Sequence, residues 1–222
     1  MKPLGVFGGT FDPIHYGHLR LAQELATGLG LAEVRFIPSG HPPHRGVPVV
    51  SSRQRLEMVR LGIAGNALFS LDEREVLKQT PSYSVETLAE LRRELGEDQP
   101  LCLLMGADAF LGLNTWHRWR ELFELAHIVV AHRPGFPLEY HADSMHGDLE
   151  RELQRRLRSG AQALHVVPHG AILAHGITAL GISASQIRAG LQAGESPRYL
   201  LPDAVLDYIQ TNRLYTKEAD GT

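Results

Sequence analysis

The stretch Leu4-Gly5-Val6-Phe7-Gly8-Gly9-Thr10-Phe11-Asp12-Pro13-Ile14-His15-Tyr16-Gly17-His18 decides the reading of the fold. Leu4–Phe7 is a short apolar run ending in paired glycines, the pattern of a buried strand that feeds a tight turn. A helix follows: from His18 onward Leu19, Ala22, Leu25, Ala26 and Leu29 recur at helical spacing, and Gly28 and Gly30 supply the stop. In an open parallel sheet, ligands bind beyond the carboxyl ends of the strands, and the amino end of the next helix favours an anion. Gly8 and Gly9 have no Cβ to keep a phosphate away. His15 and His18 are three apart, so a helix that has begun by His15 projects both imidazoles from one face of its first turn, where phosphates would lie.

Outward from this stretch the alternation continues. Val34–Pro38 reads as a strand, Arg53–Ile63 as a helix, Leu68–Leu71 as a strand, and Val85–Leu95 as a helix carrying Val85, Leu88, Leu91 and Leu95 on one face. Leu101–Met105 is another strand, Trp119–Leu125 a short helix and Ile128–Ala131 a further strand. Short apolar strands alternating with amphipathic helices predict an α/β fold, a Rossmann-like, doubly wound parallel sheet with helices on both faces. Beyond it, residues 134–147 read as a surface loop and Asp148–Arg158 as a charge-rich helix, whose Arg155-Arg156-Leu157-Arg158 cluster is read as a solvated face. Leu164–Val167 and Ala171–Ala174 read as strands, and Ser183–Leu191 and Ala204–Gln210 as the last helices. With 222 residues, 43% of them hydrophobic, one sizeable core is expected, hence one domain over residues 1–216 and a polar tail over 217–222.

Composition narrows the partners. A net charge of −3 gives no overall cationic field, so no nucleic-acid partner is expected and any phosphate binding must be local. The single cysteine, Cys102, lies in an apolar run and reads as a small buried hydrophobe. It allows no disulfide framework, which suits the cytoplasm. The start, Met-Lys-Pro-Leu-Gly, lacks a long apolar stretch, so neither a secretory signal nor a membrane partner is expected. His117, His127, His132, His141, His146, His165, His169 and His175 show no metal-ligand spacing, and no protein metal site is expected.

Taken alone, His-x-Gly-His arises by chance roughly 0.06 times in a chain of this composition. The tetrad is therefore only suggestive, Asp12 could be a turn residue and Pro13 a helix starter. A second segment, Ile182-Ser183-Ala184-Ser185-Gln186-Ile187-Arg188, adds weight. Ser183 fits a helix N-cap, and Arg188 faces the same side little more than a turn later. Gly8–His18 resembles the Gly-x-Phe-Asp-Pro-x-His-x-Gly-His motif of the nucleotidyltransferase superfamily. Ile182–Arg188 is similar to its Ile-Ser-x-Thr-x-x-Arg motif, departing at Ser185, where Thr is usual and the hydroxyl is kept.

Other segments narrow the resemblance to the bacterial nicotinate-nucleotide adenylyltransferase family. Pro42-Pro43-His44-Arg45 resembles its Pro-Pro-His-Lys loop, with Arg45 in the Lys position, and Pro81-Ser82-Tyr83-Ser84 its Pro-Ser-Tyr-Thr segment, with Ser84 for Thr. Gly106-Ala107-Asp108, Thr115-Trp116-His117 and His132-Arg133-Pro134-Gly135 resemble further family segments, as does the end from Leu201-Pro202-Asp203 to Leu214-Tyr215, so the likeness spans residues 4–215. It implies transfer of AMP from ATP to nicotinate mononucleotide, giving nicotinate adenine dinucleotide and pyrophosphate in NAD biosynthesis. His15, His18 and Arg188 are then expected to be catalytic. Gly8, Gly9, Thr10, Phe11, Gly106, Asp108, Ser183 and Ser185 are expected at ATP. Ser39, Gly40, His44, Arg45, Ser84, Trp116, His117 and Arg133 are expected at the acceptor. Mg²⁺ is expected to be bound mainly through ATP phosphates. Trp116 could instead be a core partner of Trp119, which itself reads as structural. Rival readings are an adenylyltransferase for phosphopantetheine or nicotinamide mononucleotide, a silent nucleotide-binding protein and, weakest, a tRNA-charging enzyme. A homo-oligomer is left open.

Overall fold

Six strands form one parallel sheet in a computed structural model that describes residues 1–42, 48–133 and 145–216. The strands are β1 (Leu4–Gly9), β2 (Glu33–Pro38), β3 (Phe69–Leu71), β4 (Leu101–Gly106), β5 (His127–His132) and β6 (Ile172–Gly176), in the order β3-β2-β1-β4-β5-β6. This is a doubly wound order, and its direction reverses between β1 and β4. The first strand and helix follow the opening stretch, with one correction: β1 continues through Gly8 and Gly9, which pair with Ile37 and Pro38 instead of forming the turn, and helix α1 covers Tyr16–Leu29.

The central strands β1 and β4 are apolar on both faces because both sheet faces are covered. Along β4, Leu101, Leu103 and Met105 enter one hydrophobic cluster while Cys102 and Leu104 enter the other, and β5 divides in the same way, Ile128 and Val130 against Val129 and Ala131. On one face lie α1, α2 (Ser52–Ile63) and α10 (Asp203–Thr211), with Leu25, Met58 and Val205 fully buried. On the other lie α4 (Ser84–Leu95), α5 (Ala107–Leu111), α6 (Leu122–Leu125) and α7 (Gly147–Arg156), contributing Leu88, Phe110, Phe123 and Leu149. The helix after β1 and the helix after β4 thus leave the sheet on opposite sides, which opens a crevice between the two strand ends. Short helices α3 (Arg74–Leu77) and α8 (Ala163–Val166) and helix α9 (Ala184–Gln192) complete the described elements used below.

Leu164–Val167 is not a strand but mostly the turn α8. Only Leu164 is buried, Val166 and Val167 are largely exposed, and the outer edge of β6 is already occupied by Leu157, which bridges Ile172, so no place in the sheet remains for it. The helix expected to 158 ends at Arg156 for the same reason. The loop expected over 134–147 and the tail over 217–222 lie largely or wholly outside the described residues, as do His44 and Arg45. Cys102 is fully buried, and burial pushes its thiol pKa well up, so it is an inert core residue. Within the basic cluster, Arg155 pairs with Glu152 at the surface, whereas Arg156 also lies over the Phe123 ring and donates to the Gly170 carbonyl. No described helix is long and apolar enough to cross a membrane.

His127, fully buried at the start of β5, is held between two backbone groups: one ring nitrogen lies 2.9 Å from the Val167 carbonyl and the other accepts from the Ala171 amide at 3.1 Å. The second bond requires a neutral ring. Burial lowers the His127 pKa to about 4, against an ordinary value of 6.5. Between those values the unfolded chain binds the extra proton, so stability is complete above pH 6.5 and falls as pH drops towards 4. Urea midpoints measured across that interval should decline in the wild type and decline less steeply in His127→Gln. Equal slopes would remove His127 from the account of acid sensitivity.

Candidate active site

The carboxyl ends of β1 and β4 carry the glycines that open the crevice. A Cβ built at Gly8 or at Gly106 meets nothing within 4 Å, so the backbone is approachable at both. Gly9 has a different reason: its missing Cβ makes room for the Phe11 ring, which would lie 2.9 Å away. Phe11, in left-handed backbone conformation and 2% exposed, packs edge-on to Phe7 and His18. Its side chain belongs to the core, and only its backbone faces the turn.

His15 is not in the helix, as the simplest spacing reading required. It is the N-cap in extended conformation, and α1 starts at Tyr16. The two imidazoles still meet, stacked with centroids 3.8 Å apart. Gly17 permits this, because a Cβ there would stand 2.9 Å from the His15 ring. Burial lowers the His15 pKa to about 4, so its ring is neutral at pH 7, and its Nδ1 is buried without a hydrogen-bond partner. A neutral ring also avoids placing two imidazolium charges in a stack. The pair can therefore offer N–H donors to an anion without a standing repulsion.

The second motif arrives from the far end of the chain. Ser183 caps α9, accepting from the Gln186 amide at 3.2 Å, as its place in the sequence suggested. Arg188 Nη1 donates to the Asp12 carbonyl at 2.7 Å, across 176 residues, and Nη2 reaches the Ser185 hydroxyl at 3.4 Å. Asp12 itself is buried, and is more than a turn residue. Its carboxylate accepts from the Tyr215 hydroxyl at 2.6 Å and from the Val49 amide at 3.1 Å. Pro13 precedes the helix by three residues and does not start it. The Ser183 and Ser185 side chains are exposed, as is Asp108 in the first turn of α5.

On the other side of the turn, Ser39 follows β2 and donates through both its amide and its hydroxyl to the Gly9 carbonyl, each at 2.9 Å. Gly40 is buried, with the Glu75 carbonyl where a Cβ would go, and its amide donates to the Ser82 hydroxyl at 3.0 Å. Ser84 is the first residue of α4. Tyr83 is its N-cap and makes no side-chain cap bond, which leaves first-turn amides for a ligand. The Tyr83 ring also lies against His117, tilted at 36° with centroids 4.4 Å apart, joining the 81–84 segment to the 115–117 segment. Trp116 is half-buried against the cluster beneath α4, while Trp119 is 8% exposed, packs on Phe123 and lies beneath Arg120. Arg133 is exposed just beyond β5. The structure thus ties Arg188 to Asp12, three residues before the stacked His15–His18 pair, and ties Gly40 to Ser82 and His117 to Tyr83, in the segments that also hold Ser39, Ser84 and Trp116.

Several of these links were not read from the sequence. Tyr83 was quoted only within its segment, and Tyr215 only as part of a terminal pattern. Arg55 was overlooked altogether, although it lies three and four residues before Met58 and Val59 on the buried stripe of α2. A charged residue on an apolar stripe is the signal that could have found it. Among the described residues, no group of three or more His, Cys, Asp or Glu side chains is placed to hold a metal ion.

Residues 6–190 match the cytidylyltransferase-like family. A protein of Dechloromonas aromatica named "Probable nicotinate-nucleotide adenylyltransferase" is 59% identical over 214 residues, covering 96% of this chain and 98% of that one. A protein of the same name from Methylococcus capsulatus is 47% identical over 96% of this chain and 100% of its own length. Among solved structures, the nicotinic acid mononucleotide adenylyltransferase of Plasmodium falciparum complexed with NaAD shares the fold, with a TM-score of 0.69 over 97% of this chain and 98% of that one at 15% identity. The chain belongs to the cytidylyltransferase-like family and, within it, to the nicotinate-nucleotide adenylyltransferases.

Proposed function

We propose that this chain transfers the adenylyl group of ATP to the 5′-phosphate of nicotinate mononucleotide, releasing pyrophosphate and nicotinate adenine dinucleotide, the precursor of NAD. The observation that carries the reading is the bond from Arg188 of the second motif to the Asp12 carbonyl of the first, which also holds the stacked His15–His18 pair and follows the open glycine Gly8. The nucleophile needs no general base, since a phosphate monoester has a second pKa near ~6 and is largely dianionic at neutral pH. The protein's task is to hold two polyanions together and to stabilise charge at the α-phosphorus. His15 and His18 take the α-phosphate, Ser183, Ser185 and Arg188 the β- and γ-phosphates, and Thr10 with the amides around Gly8 and Gly9 seats the chain of phosphates. Gly106 and Asp108 take the adenosine part. Ser39, Gly40, Ser84, Trp116, His117 and Arg133 take the acceptor, joined by His44 and Arg45. Exposed hydroxyls and one carboxylate are oxygen donors suited to a hard cation that keeps its waters, so Mg²⁺ would enter with ATP and supply neutralisation of phosphate charge. The lone buried cysteine and these substrates suit the cytoplasm. Incubating the purified chain with ATP, Mg²⁺ and each candidate acceptor, then identifying the product by chromatography, tests the assignment: dinucleotide from nicotinate mononucleotide supports it, and none from that acceptor overturns it.

His18 anchors the charge-stabilising pair, and loss of such a preorganised donor costs ~10²–10³ in turnover. His18→Ala should fold, by circular dichroism, and turn over that much more slowly. Near-normal turnover would remove His18 from the chemistry.

Arg188 donates one N–H to Asp12 and reaches the Ser185 hydroxyl with Nη2, leaving its other N–H groups for phosphate oxygens. Lysine retains the charge but not the fork. Arg188→Lys should raise the ATP Michaelis constant about tenfold or more, in keeping with loss of a charge-assisted bond, while that of the acceptor stays within about twofold. Unchanged constants for both would show that Arg188 does not grip phosphate.

The uncapped start of α4 favours a carboxylate over a carboxamide, because the latter turns an NH₂ towards donors. Catalytic efficiency should favour nicotinate over nicotinamide mononucleotide by ~10² or more. Ser84→Ala should keep that ratio, since the contact is through backbone. Trp116→Ala should weaken both acceptors by the ~1–3 kcal/mol that ring stacking supplies. A ratio that collapsed in Ser84→Ala would refute backbone recognition.

A further inference from the structure

Arg55 is 1% exposed, yet it makes no ion pair among the described residues. Its guanidinium instead forks between two loops: Nη1 donates to the Thr10 carbonyl at 2.7 Å and Nη2 to the Gly40 carbonyl at 3.1 Å. Nε is buried without a partner. A buried cation is costly, and here its two carbonyl bonds and the longer-range attraction of Asp12 and Glu75 offset that cost. A hydrophobic side chain at this point of the apolar stripe would avoid the cost of the charge but would leave both carbonyls without this donor, so the charge answers to the two loops and not to the stripe.

The two carbonyls explain it better. Thr10 lies in the turn after β1, on the side of the ATP phosphates, and Gly40 lies after β2, on the side of the acceptor. Gly40 cannot drift, since its amide is held by Ser82 and its Cβ position is filled by the Glu75 carbonyl. Thr10 cannot drift far either, since Gly9 before it is held by Ser39 and Asp12 after it by Tyr215 and Arg188. We propose that Arg55 is a positioning residue, a tether that fixes the distance between the donor and acceptor half-sites and so sets the approach of the acceptor phosphate to the α-phosphorus. This rests on the functional reading above and adds to it a residue that touches neither substrate. Displacement between two bound groups is acutely sensitive to such spacing, and a misplacement of about 1 Å can cost ~10² in rate.

A tether predicts a pattern that fold stability alone does not. Each substrate alone occupies one half-site and is indifferent to the spacing, whereas the dinucleotide product spans both and gains affinity only when they are correctly placed. Arg55→Lys keeps the charge but can reach only one carbonyl. Arg55→Gln removes the buried charge and keeps one donor group, which guards against loss of fold in the lysine variant. Both are to be compared with wild type by calorimetric titration of ATP, nicotinate mononucleotide and nicotinate adenine dinucleotide, at a temperature where circular dichroism shows them folded. The expected result is affinity for each mononucleotide within about threefold of wild type, dinucleotide affinity weaker by about tenfold or more, and turnover down by ~10–10² with little change in either Michaelis constant. Dinucleotide affinity that is unchanged, or that falls only in step with the two halves, overturns the tether. A wild-type chain that makes no dinucleotide overturns the functional reading and the tether with it, whereas an active wild type with unaffected variants overturns the tether alone.

Discussion

Everything at the crevice depends on Asp12. Its side chain accepts from a tyrosine 203 residues away and from the Val49 amide, and its carbonyl accepts from Arg188. A buried carboxylate is tolerated only when its oxygens are satisfied, and these are. The consequence is that the turn after β1, the segment before α2, the start of α9 and the end of the chain are fixed relative to one another by a single residue. Ile187 roots α9 in the core, and the Asp12 bond adds a direct link between Arg188 on that helix and the segment that carries His15 and His18.

The hub also resolves how a chain of net charge −3 can receive two polyanions. On the proposed reading the positive character is local and is built mostly from neutral donors: backbone left approachable at Gly8 and Gly106, a stacked imidazole pair of which His15 is held neutral by burial, uncapped helix amides at α4 and the guanidinium N–H groups of Arg188 that Asp12 and Ser185 do not take. Donors of this kind need no reorganisation when charge develops, which is the condition for electrostatic stabilisation in a partly dry crevice. Their positions are set by packing as much as by hydrogen bonds. Gly17 exists for the His15 ring, Gly9 for the Phe11 ring and Gly40 for the Glu75 backbone, so three glycines of the site region serve close packing within the protein.

Local periodicity made the sheet and its covering helices legible, because strand and helix periods follow from which faces are buried. It failed at Leu164–Val167, where an apolar run met a sheet edge already taken by Leu157. That outcome depends on tertiary neighbours, which no window of sequence contains. The two phosphate motifs were legible as motifs, but their junction was not, since a hydrogen bond across 176 residues leaves no local pattern. The contact of Tyr83 with His117 and the fork of Arg55 were hidden in the same way, although Arg55 at least announced itself as a charge on an apolar stripe.

On the proposed function, the site aligns two bound phosphates for one direct displacement, with no residue attacked in between. The stereochemical course at phosphorus reports this directly. With a single diastereomer of adenosine 5′-O-(1-thiotriphosphate) as donor and nicotinate mononucleotide as acceptor, the configuration at the α-phosphorus of the dinucleotide can be read by ³¹P NMR. Inversion is the expected result, because one in-line attack exchanges entering and leaving oxygens on opposite sides. Retention would require two displacements, hence an adenylylated side chain such as His15 or His18, and would contradict the account.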